Sequence, residues 1–95
     1  MTILEAQKNL GKDLQYQRKA LELTQAELSK RSGVKLATLR KFEQKGIISL
    51  ASFLKLSMAL GILDNIIKAT KPQYKVFTSI DYVIKAKAKP NKEYF

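Results

Sequence analysis

The sequence contains no cysteine, no histidine and no tryptophan. Without cysteine there is no disulfide, no thiolate metal site and no thiol nucleophile. Without histidine the commonest general base and metal ligand is missing. Paired carboxylates at helical spacing and a phosphate-cradling glycine loop are missing as well, so no enzyme is expected and no cofactor is called for. The apolar runs span only a few residues, against the roughly 20 that a membrane helix needs. Met1 is followed by Thr2, Ile3, Leu4 and Glu5, with neither a basic start nor a long apolar stretch, so no secretory signal is expected. A reducing, cytoplasmic setting fits these absences. Acidic residues are scarce too: 8 Asp and Glu stand against 18 Lys and Arg, for a formal net charge of +10. A chain of 95 residues with that charge is expected to meet a polyanion.

What is present describes a small globular chain. Hydrophobic residues make up 45% and charged residues 27%, a balance that permits a packed core. The length fits one domain, or one domain with a tail, and a core this small gains from a partner subunit. The charge is unevenly placed. Residues 35–45 carry Lys35, Arg40, Lys41 and Lys45 against Glu43 alone. Residues 46–67 carry only Lys55 and Asp64, and residues 68–95 are rich in lysine. An apolar, neutral middle is thus flanked by a short basic segment and a basic tail.

Four glycines and two prolines predict helices broken by a few turns, hence an all-α fold. A first helix is expected over 5–21, with Leu10, Leu14, Arg18 and Leu21 on one face. Gly11 weakens it by about 1 kcal/mol relative to alanine. Thr24-Gln25-Ala26-Glu27 has the form of a capping box, in which hydroxyl and carboxylate each accept from the other residue's amide. A second helix should follow over 25–31, closed by Gly33, with Val34 pointing inward. A third is expected over 36–44, with Leu39 and Phe42 buried and Lys45-Gly46 at its end. Ser49 should cap a fourth running to Leu60, with Leu50, Phe53, Leu54 and Met58 inward. Gly61 interrupts, a short fifth helix holds Leu63, Ile66 and Ile67, and Pro72 stops it. Beyond that, Tyr74, Val76 and Phe77 suit an extended segment, and Ser79 suits the cap of a short helix with Tyr82, Val83 and Ile84. A two-stranded element over 74–86 is the competing reading. From Pro90 onward disorder is expected in the absence of a partner.

The run from Leu23 to Val34 (LTQAELSKRSGV), followed by Thr38-Leu39 and Phe42-Glu43, closely resembles the lambda-repressor-like helix-turn-helix family of XRE or Cro type. The resemblance covers roughly residues 8–70. It implies a five-helix DNA-binding domain over 1–71 with a basic C-terminal extension over 72–95, used for dimerisation or partner binding and partly disordered. It also implies a bacterial, cytoplasmic regulator, nucleoid-associated when bound to its operator. In such a domain the second motif helix enters the roughly 12 Å major groove while the first spans the backbone.

Carried over position by position, the resemblance implies that Gln25 bonds a phosphate. Arg18 and Glu43 match the family's recurring interhelical ion pair, whose use is to fix an angle rather than to add stability. The base-reading positions fall on Leu36, Ala37, Thr38, Arg40 and Lys41. Leu36 and Ala37 offer no hydrogen bond but suit thymine methyls, and Lys41 can donate to guanine. Lys35 stands where the family usually has a Ser or Thr cap; it suits a phosphate, as do Arg40 and Lys45. Family members usually dimerise, and Leu60, Ile62, Leu63, Ile66 and Ile67 offer more apolar surface than a short terminal helix can bury on its own.

The stretch from Gly46 to Asp64 is further similar to HipB-like antitoxins, which repress their own operon and hold a HipA-like kinase toxin. A stand-alone regulator with no toxin is the alternative. The terminal Tyr94 and Phe95 suit an anchor that orders in a partner's pocket, against the plainer expectation of a frayed end. An RNA-binding basic protein fits less well, since aromatics are only 8% and such proteins stack bases on them.

Overall fold

The computed structural model describes residues 1–72; the expectations for 73–95, including the Tyr94–Phe95 anchor, lie outside the described residues. Among the described residues there are five α-helices and no strand: α1 (Ile3–Ala20), α2 (Gln25–Ser32), α3 (Leu36–Lys45), α4 (Leu50–Ala59) and α5 (Leu63–Thr70). Their starts follow from local chemistry. The Thr2 hydroxyl accepts from the Glu5 amide at 3.1 Å, and Ser49 does the same for Ser52. At α2 the expected capping box is complete: Thr24 Oγ1 accepts from the Glu27 amide at 3.0 Å, and the Glu27 carboxylate accepts from the Thr24 amide at 2.9 Å. Lys35 precedes α3 and gives no side-chain cap.

The ends are as local as the starts. Helices α1 and α4 close with the same pair of crossed backbone bonds: Leu23 N–H to Arg18 and Glu22 N–H to Lys19, then Ile62 N–H to Ser57 and Gly61 N–H to Met58. This closure places one residue in the left-handed region. Gly61 takes it at φ 77°, whereas α1 uses Glu22 at φ 59°, a conformation that costs a side-chain-bearing residue about 1–2 kcal/mol. Leu23, delivered inward by that turn, is part of the core.

The core consists of Leu14, Leu23, Leu28, Val34, Leu39, Phe42, Leu56 and Leu60, with Ile48, Phe53, Ala59 and Ile62 packed against it. Phe42 and Phe53 meet edge to face, with ring centroids 5.9 Å apart. Two expectations are corrected here. Leu10 and Leu21 do not share the buried face of α1 but are exposed; Leu14, Arg18 and Gly11 are what α1 buries. On α4, Leu50 and Met58 are 72% and 66% exposed, and Leu56 and Ser57 are buried instead. The reason is register: Phe53, Leu56, Ser57 and Leu60 fall at spacings of three and four along one stripe, a quarter-turn from the one expected. Ser57 is tolerated in that stripe because its hydroxyl donates to the Phe53 carbonyl at 2.8 Å.

Gly11 is a contact point rather than a weak spot. A Cβ there would run into the backbone carbonyl of Phe42, so glycine is what lets α1 lie against α3. Gly46 does the same at the end of α3, where a Cβ would strike the backbone of Gln7 and Lys8.

Candidate nucleic-acid interface

Helices α2 and α3 are joined by the short turn Gly33–Lys35. Gly33 takes φ 76°, and its N–H bonds Ser29. The turn is fastened by Ser29 Oγ donating to the Val34 carbonyl at 2.6 Å and by the Val34 N–H donating to Ser32 Oγ at 3.1 Å. Val34 is thereby driven into the core, and α3 is held at a set angle beyond it.

Helix α3 has two chemically distinct sides. Leu39, Phe42 and Glu43 are buried. Lys35, Ala37, Arg40, Lys41, Gln44 and Lys45 are exposed, while Leu36 and Thr38 are half-buried. Glu43 is the only acid of α3, and it faces inward, so the outer side carries cations alone. Gln44 was not among the residues singled out from the sequence. Its spacing of seven from Ala37 and three from Lys41 puts it on their face and was the available signal.

The carboxylate of Glu43 is met from two other helices. Arg18 Nε donates to Oε2 at 2.8 Å and Arg18 Nη2 donates to Oε1 at 3.0 Å. Arg18 Nη1 also donates to the Leu23 carbonyl at 2.7 Å, which ties the end of α1 to the same centre. Gln25 Nε2 donates to Glu43 Oε1 at 2.9 Å, and Gln25 Oε1 accepts from Arg40 Nε at 3.4 Å. The carboxamide expected to face a phosphate is therefore turned, at both ends, toward residues of α3. Among the described residues no buried side-chain nitrogen or oxygen is left without a partner.

The apolar residues expected at a dimer contact divide in two. Leu60 is only 7% exposed and belongs to the core of its own chain, so its side chain is not available to a second copy; this corrects its assignment. Ile62 packs half-buried against that core. Leu63 and Ile66 of α5 are half-buried, and Ile67 is 45% exposed. No residue of α5 is fully buried.

Among the described residues no group of acidic side chains could hold a metal ion, and no helix is long and apolar enough to cross a membrane. A capped helix, a left-handed glycine turn and a second helix with a cationic outer side define a helix-turn-helix DNA-binding domain. The helix-turn-helix family model matches residues 14–63, more than half of the chain. The protein belongs to this family, in its XRE or lambda-repressor-like form, and is a DNA-binding transcription regulator. Neither the curated proteins nor the solved structures gave a match.

Proposed function

We propose that the protein is a sequence-specific repressor that lays α3 in the major groove of its operator, with two copies on two half-sites. One observation carries this reading: every charged group on the outer side of α3 is positive, because the helix's single carboxylate is buried against Arg18. Lys35 and Lys45, at the two ends of α3, reach phosphates, as does the amino end of α2, whose dipole favours an anion. Lys41, exposed at mid-helix, donates to a guanine edge, and Leu36, Ala37 and Thr38 pack against thymine methyls. The pairing surface is the apolar group Ile62, Leu63, Ile66 and Ile67 at and along α5, in which Ile67 is the most exposed. Residues 1–71 act as the DNA-binding domain and the basic residues 72–95 serve dimerisation or partner binding, in the cytoplasm.

The finer reading is an autoregulating antitoxin of a HipA-like kinase. Its support is the similarity of the Gly46 to Asp64 run to HipB-like proteins, together with the lysine-rich segment that follows. Co-purification with a kinase encoded beside this gene supports it; a neighbourhood with no kinase leaves the stand-alone regulator.

The test is a gel shift on the region upstream of the protein's own gene. A dimer that neutralises about 6–10 phosphates should lose about 10³–10⁵-fold in affinity between about 50 and 200 mM salt. Lys41→Ala should cost about 1–3 kcal/mol on the cognate site and erase one base preference, whereas Lys45→Ala should weaken all sequences alike. Equal binding to cognate and random DNA by the unaltered protein would overturn the proposal.

A further inference from the structure

We infer that Arg40 is a base-reading side chain assigned to the N7/O6 edge of a guanine, and that Gln25 is the positioning residue that aims it. The inference rests on α3 being the helix that reads DNA, and it goes beyond that reading by assigning Arg40 a particular base edge and naming the residue of α2 that aims it.

The geometry is a chain of contacts that runs from the interior to the surface. It begins at the buried Arg18–Glu43 pair, passes from Glu43 Oε1 to Gln25 Nε2, and ends where Gln25 Oε1 accepts from Arg40 Nε. Each link limits the next. Glu43 is fixed by two bonds from Arg18, so it fixes which end of the Gln25 carboxamide faces it. That leaves the Gln25 oxygen, and not its nitrogen, facing α3, where a guanidinium can donate to it.

Arg40 is engaged only through Nε. Among the described residues its Nη1 and Nη2 hydrogen-bond to nothing, and the side chain is exposed. A guanidinium held at its neck presents the two terminal N–H groups as a flat, paired donor, and that pair matches guanine N7 and O6. A phosphate contact does not need such aiming, because an ammonium supplies it from a wide range of directions, and Lys35 and Lys45 already flank the helix. Arg40 is also the only guanidinium on α3.

The experiment is selection from random duplexes with the full chain, comparing the unaltered protein with Arg40→Lys and Gln25→Ala. Arg40→Lys keeps the charge and removes the paired donor, so preference for guanine at one position should fall by about tenfold or more while other positions hold. Gln25→Ala should weaken preference at that same position, by less, with the rest of the selected sequence intact. Thermal melting of each variant establishes that it is folded; if Gln25→Ala is not, Gln25→Met keeps the stem without the carboxamide and decides the matter. An unchanged guanine preference in Arg40→Lys overturns the assignment. So does a Gln25 variant that loses affinity equally for every sequence, because that marks a phosphate contact. A wild-type chain that selects no sequence overturns the regulator reading and this inference with it.

Discussion

Arg18 and Glu43 lie 25 residues apart in the sequence and meet through two parallel hydrogen bonds of 2.8 and 3.0 Å. Both are buried, so each has given up its water for the other. Attraction and desolvation largely offset in such a pair, and the gain is a fixed angle between α1 and α3. Removing one partner strands the other. Glu43→Ala is expected to lower stability by about 3–5 kcal/mol in urea denaturation. The double change Arg18→Met with Glu43→Leu should recover most of that loss yet still weaken DNA binding. A loss of under about 1 kcal/mol in Glu43→Ala would mean that water reaches the pair.

Gly11→Ala sets helix propensity against packing. Alanine favours the helix by about 1 kcal/mol, but its methyl would be placed on the Phe42 carbonyl, a backbone atom that cannot swing aside. Packing should win, with a net loss of about 1–3 kcal/mol seen as a lower Tm. A raised Tm would show that α1 and α3 are less closely apposed than Gly11 allows.

Acid should weaken α2 through Glu27. The Thr24 backbone N–H, then the Thr24 hydroxyl, with the nearby Arg31 charge, hold this carboxyl below its ordinary value of 4.5. A depressed carboxylate lends stability above its unfolded value and loses it as pH falls through the lower, folded one. The stability difference between the unaltered protein and Glu27→Gln should therefore be full near neutrality. It should shrink as the pH drops below 4.5, followed by melting at a series of pH values. A difference that stays constant into strong acid would contradict the capping box.

Leu60 and Ile67 should separate folding from pairing. Leu60→Ala empties a core position and is expected to cost about 2–5 kcal/mol of stability. Ile67→Glu alters an exposed position and should leave the helices folded while shifting sedimentation toward a monomer and lowering operator affinity. A dimer that survives Ile67→Glu places the contact elsewhere.

The sequence was most legible where structure is written in adjacent residues. Thr24 with Glu27, Gly33 and Ser49 each declare a boundary through short-range chemistry, and all lie where expected. Arg18 with Glu43 was legible only through the family pattern, since nothing local links α1 to α3. The buried stripe of α4 is not legible in the sequence because its leucines occur on more than one side, and only the neighbours it packs against choose between them. The role of Gly11 was hidden for a related reason: a missing side chain says nothing of what presses against it. The turn of Gln25 toward Arg40 depends on three helices at once and has no sequence signature.

The contacts that hold α3 to α1 gather at its carboxyl half: Phe42 rests on Gly11, Glu43 is clamped by Arg18, and Gly46 abuts Gln7. Its opening turn carries no side-chain cap and shows Lys35 and Ala37 to the outside, with Lys41 a turn further on. Descendants of this chain are thus free to acquire new targets by rewriting a few surface letters, while the foundations that keep the domain upright go untouched.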